Sequence, residues 1–151
     1  MGQQQLLLVI LVTIIVGIAT VVAINTFGAA ADSANLDAVR QDVASIAASA
    51  QGYYMKPTML GGGGQDFTDV SFNSMAFPGN VNSGGDIAQN ENGRYVISGG
   101  GTDEFTVTAH PASDESYVPG TVTDGELTGS GTDAADPLVA TIEPDNMSWN
   151  S

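Results

Sequence analysis

From Leu6 to Ile24 the chain carries no charged residue, and only Thr13, Gly17 and Thr20 interrupt its large apolar and alanine positions. A run of that length suffices to cross the hydrocarbon core of a bilayer. Gln3, Gln4 and Gln5 lead into it, and Asn25 to Gly28 lead out of it. The pattern then changes without breaking. Leu36, Val39, Val43, Ile46, Ala50 and Tyr53 recur every three or four residues, the period of one helical face. Asp32, Asp37, Arg40, Gln41 and Asp42 fall mostly on the remaining surface. Proline is absent from Met1 to Lys56 and alanine is abundant, so intrinsic propensity favours one continuous helix. Pro57 and the Gly61–Gly64 run end it. The reading is a helix over 1–56, apolar all round through residue 28 and amphipathic over 29–56.

About 50 helical residues at 1.5 Å each reach roughly 75–80 Å, beyond the width of any small domain. Part of the helix is therefore expected to protrude. A protruding helix that is apolar all round is buried either in lipid or among copies of itself. Gly17 and the Asn25–Gly28 stretch are its weak points, since glycine costs about 1 kcal/mol relative to alanine in a helix interior. Local unwinding there and an unbroken helix are both compatible with the sequence.

Residues 57–151 read as a β-rich head. Phe105, Val107 and Ala109 alternate with Thr106 and Thr108 in a strand over Glu104–His110. Arg94–Ser98 precedes it across a glycine-rich connection, which makes a hairpin. Leu138–Ile142, bracketed by Pro137 and Pro144, is a third strand, and Phe67–Phe72 alternates well enough for a short fourth. Trp149 is expected to hold the C-terminal loop by packing. Gly61–Gly64, Pro78–Gly93 and Pro111–Pro137 read as loops, the first as a flexible linker. The fold class is α+β, with one long N-terminal helix packed on a small antiparallel sheet. A head of roughly 95 residues is marginal in the surface it buries, and the chain has no cysteine to staple it.

Charge narrows the class of partner. Arg40, Lys56 and Arg94 oppose 17 carboxylates, for a formal net charge of −14. Nucleic acid is not an expected partner, because its binding needs clustered Lys and Arg; anionic headgroups are disfavoured for the same reason. No Lys or Arg precedes Leu6, unlike a secretory signal or an ordinary anchor. A short basic leader removed ahead of Met1 would account for that.

The segment from Met1 to about Tyr54 resembles the mature N-terminal helix of type IV pilins and the related pseudopilins. That resemblance implies cleavage of a basic leader by a prepilin peptidase, methylation of Met1, residence in the inner membrane, and transfer by an assembly machinery into a filament of identical subunits. It also implies that Gln5, Leu6, Leu7, Leu8, Ile10, Leu11, Ile14, Ile15, Ile18, Val21 and Val22 form the assembly segment. Leu36, Val39, Val43, Ile46, Ala50 and Tyr53 would pack the helix on its head. Two departures stand out. Gln5 occupies the place where the family usually has a glutamate, thought to pair with a neighbour's terminal amine. The paired cysteines common near the family's C-terminus are missing.

Catalytic chemistry is scarce. One histidine and no cysteine leave no recognisable nucleophile–base pair, and an enzyme is not expected. His110, at a strand end before Pro111, reads as structural or solvent-exposed. Gly61–Gly64 lacks the Gly-Lys-Ser/Thr ending of a phosphate-binding loop. Asp124, Glu126, Asp133 and Asp136 crowd one loop and are the only candidates for calcium, at a spacing unlike an EF-hand. No cofactor is expected. Tyr53 and Tyr54 are expected to anchor the sheet, and Asn146-Met147-Ser148 fits a glycosylation sequon. The leading functional expectation is a major pilin on the cell surface, serving adhesion, motility or surface interaction. A type II secretion pseudopilin and a singly anchored membrane protein with a binding head remain the alternatives.

Overall fold

A computed structural model describes residues 2–129 and 131–150. The helix α1 runs over Gly2–Met55 without a break, continuing through both Gly17 and the Asn25–Gly28 stretch. The chain divides into two compact units, Met1–Ala34 and Asn35–Ser151.

Within the second unit the helical stripe does what its period demands. Val39, Val43, Ile46 and Ala50 are buried, and Ala47 joins them. Leu36 and Tyr53 are half-buried. The stripe covers one face of a six-stranded antiparallel sheet. Its strands are β1 (Asn80–Val81), β2 (Ile87–Gln89), β3 (Gly93–Ser98), β4 (Phe105–Pro111), β7 (Leu138–Ile142) and β8 (Met147–Asn150), in spatial order β1-β2-β3-β4-β7-β8. Two further strands, β5 (Val122–Thr123) and β6 (Glu126–Leu127), form a separate hairpin. Alternation sends Tyr95, Ile97, Phe105, Val107, Ala109, Ala140 and Ile142 to the helix side, where they form one core with Phe67 and Phe72.

Three expected strands are present as β3, β4 and β7. The Phe67–Phe72 segment is not a strand. It begins with a turn in which the Val70 N–H donates to the Phe67 carbonyl, and Phe67, Val70 and Phe72 are all buried, Phe67 against Tyr54 at the helix end and Phe72 against Phe77. Turn spacing, rather than a pleat, puts those three side chains on one side. The C-terminus is held by the β7–β8 ladder rather than by Trp149, which is paired opposite Ala140 and stays 41 % exposed.

The glycine run is also a correction. Gly63 N–H donates to Tyr53 O at 2.9 Å, Gly64 N–H to Lys56 O at 2.9 Å, and Gln65 N–H to Tyr54 O at 2.8 Å. These bonds satisfy the carbonyls that every helix leaves open at its C-terminus. A Cβ on Gly62 would overlap the Lys56 carbonyl, and one on Gly63 the Asp66 carbonyl. The run is therefore a close-packed cap, not a flexible linker.

Candidate functional site

The first candidate is the Met1–Ala34 unit itself. Met1, the expected methylation site, lies outside the described residues. Gln5, Leu6, Leu7, Leu8, Ile10, Leu11, Ile14, Ile15, Ile18, Val21 and Val22 are all exposed in the single chain, Leu7 at 67 % and Ile18 at 61 %. Exposure extends to every side of the helix. Its threonines answer to their own backbone: the hydroxyls of Thr13, Thr20 and Thr26 donate to the carbonyls of Ile10, Val16 and Val22, each at 2.8 Å. Such self-satisfied hydroxyls tolerate apolar surroundings, where an unpaired donor is costly. The helix is long and apolar enough to cross a membrane.

The second candidate is the polar junction between helix and sheet. Asp42 Oδ2 accepts from the Tyr95 hydroxyl at 2.7 Å, from Asn90 Nδ2 at 2.7 Å and from Asn92 Nδ2 at 2.8 Å. Tyr95 has no exposed surface. Burial, with Asp42 beside it, pushes its phenol well above the ordinary range, so it stays a donor. Asp42, Asn80, Gln89 and Glu91 line a cleft of about 620 Å³ next to this junction. None of the lining residues is a histidine, cysteine or serine.

The third candidate lies on the opposite face of the sheet. Register places Gln89, Arg94 and His110 side by side on β2, β3 and β4. Over this row folds the segment between β4 and β7. The Gly120 N–H donates to Gln89 Oε1 at 2.7 Å. Arg94, only 4 % exposed, is ion-paired with Asp133, and His110 Nε2 lies 3.4 Å from the same carboxylate oxygen. Arg94 Nε and Nη1, His110 Nδ1 and the Tyr117 hydroxyl are buried without a protein partner. Burial and the neighbouring guanidinium hold the His110 imidazole below its ordinary range. At the start of this segment Asp114 accepts from the Ser116 hydroxyl and backbone N–H, which holds its carboxyl down at about 2.

The calcium candidates do not converge here. Asp133 is turned to Arg94, whereas Asp124 sits in the β5–β6 turn at φ 54°. Among the described residues no three His, Asp or Glu side chains are placed to hold a metal ion. The Arg94–His110–Asp133 group was invisible in the sequence because its members lie 16 and 23 residues apart in the chain. Only the in-register β3–β4 pairing brings the first two together. One signal for the overlying hairpin was available: Asp124-Gly125 between Val122-Thr123 and Glu126-Leu127 is a two-residue hairpin signature.

No family model, no curated protein and no solved structure matches this chain.

Proposed function

We propose that this chain is the structural subunit of a type IV pilus-like filament, inserted in the cytoplasmic membrane before assembly and polymerised through the first part of α1. The observation that carries the reading is the exposed, uncharged surface that Leu6–Ile24 presents on every side of a continuous helix. Fully burying one Leu- or Ile-sized side chain contributes about 1.5–3 kcal/mol. More than a dozen such side chains outweigh the estimated 4–15 kcal/mol that association costs in lost freedom. Lipid provides that burial first, and identical helices provide it in the polymer. The hydroxyls bonded back to their own helix support both environments. Resemblance to the pilin N-terminal helix supports the polymer as the final state. Extracellular adhesion, motility or surface contact is the work proposed for the fibre.

Electron microscopy of full-length subunit freed slowly from detergent tests the reading. Filaments of uniform width are the expected result. A stable detergent-bound monomer that never polymerises would instead make it a singly anchored protein displaying its head.

A further inference from the structure

The end of α1 presents a surface that the chain itself does not use. Met55, Met59 and Leu60 are 72 %, 96 % and 67 % exposed, and Lys56 stands exposed among them. Their backbone is not loose. The cap bonds already described, with Leu60 N–H to Pro57 O at 3.0 Å, fix the turn that carries them. Long apolar side chains held outward on a fixed backbone have little ordering entropy left to lose on docking beyond their own rotamers.

Lys56 is singular in charge as well. It is the chain's only lysine. Arg40 is paired with Asp37 and Arg94 with Asp133, so among the described residues Lys56 is the one cation with no carboxylate partner. The rest of the surface is strongly acidic. The exposed carboxylates of another copy of this chain carry the charge opposite to that of Lys56.

The copy also offers a matching face. The segment between β4 and β7 exposes Val118 and Val122, and the β5–β6 hairpin that carries Val122 also exposes the carboxylates of Asp124 and Glu126. It covers the sheet face opposite the helix, anchored through Gln89 and Arg94. The helix cap and this segment thus belong to opposite faces of one sheet, and one molecule cannot bring them together. Contact between two copies is then head-to-tail, and such contacts propagate into helical polymers instead of closing.

We infer that the Met55–Lys56–Met59–Leu60 surface docks on the Val118/Val122/Asp124/Glu126 surface of the next subunit, giving the filament a second contact between heads. This rests on the filament reading above. The test is zero-length carbodiimide coupling on filaments of mixed isotopic labelling, followed by mass spectrometry. With one lysine, every lysine cross-link reports Lys56. The expected product joins Lys56 of one label to a carboxylate within residues 112–137 of the other. Lys56→Arg should keep assembly and lose the cross-link. Lys56→Glu and Met59→Ser, both at exposed positions, should raise the critical concentration about tenfold or more while leaving the head's thermal melt unchanged. Normal filaments from both variants, or lysine cross-links confined to one molecule or to carboxylates elsewhere, would overturn the docking. Absence of filaments from the unaltered chain would overturn the filament reading and this contact with it.

Discussion

The buried Tyr95 hydroxyl donates to Asp42 Oδ2 at 2.7 Å, tying β3 to the helix across 53 residues of chain. Because Asn90 and Asn92 donate to the same oxygen, removing the carboxylate strands three donors at once. Asp42→Ala should destabilise the head by about 2–3 kcal/mol, and Tyr95→Phe by about 1 kcal/mol. Urea unfolding of the full chain in detergent, followed by head fluorescence, measures both. Equal losses would show that the hydroxyl is the only donor of consequence.

The ion pair beneath the outer segment should be asymmetric. Arg94 is buried, whereas Asp133 is 65 % exposed. Asp133→Ala leaves a buried guanidinium without its counter-ion and should cost about 3 kcal/mol. Arg94→Met leaves only a solvated carboxylate and should cost much less. Combining the two should recover most of the loss. A double-mutant cycle in the same unfolding assay decides it.

His110 adds a pH dependence whose sign follows from its lowered folded value. The native state favours the neutral ring, so the contribution is complete above the ordinary value of 6.5. It is lost as pH falls from there through the folded value. The urea midpoint should drop between pH 7.5 and 5.5, and drop less in His110→Gln. A variant with the unaltered pH profile would remove His110 as the cause.

Glycines near the helix end should separate by what surrounds them. Gly52 has open space at the Cβ position within α1, so Gly52→Ala should stabilise by about 0.5–1 kcal/mol. Gly63→Ala would drive its methyl into the Asp66 carbonyl and should destabilise by about 2 kcal/mol or more. Thermal melts of the two variants, compared directly, test whether the run is a cap.

Assembly itself is probed at Val16, in the middle of the apolar segment. In the proposed filament, Val16→Asp would repeat a buried charge in every subunit, at a large cost each time. Filaments should vanish from micrographs while the head keeps its melting curve. Gln5→Glu asks a separate question, and filament yield near the unaltered level would show that the neutral amide is not a specific device.

Much of the fold could be read from the residues because its signals are long. The helix repeats its stripe over several turns, and β3, β4 and β7 have enough branched and aromatic positions to alternate visibly. The misses are short or ambiguous. β1, β2 and β8 span two to four residues each, several of them Asn, Gln or Ser, and local propensity cannot distinguish these from loop, whereas the equally short β5 and β6 are marked only by the Asp124-Gly125 turn between them. Phe67, Val70 and Phe72 carry the spacing of a turn that also mimics a ragged strand. Gly61–Gly64 has the composition of a linker, but its amides are committed to the helix end, and sequence records composition rather than bonding. The polar row on the outer face depends on strand register, which no local pattern reports.

The two ends of the sheet bear on a hazard that polymerisation creates. In the proposed filament, packing subunits side by side would raise the local concentration of heads far above that of any free protein in solution, and unpaired strand edges would then invite fusion of one sheet with the next. At one border stands β1, only two residues long. At the other, β8 carries Ser148 and Asn150, the latter spending its amide on Thr141 within its own sheet. Neither border offers a long apolar template, so heads crowded in such a filament would stay separate folded bodies.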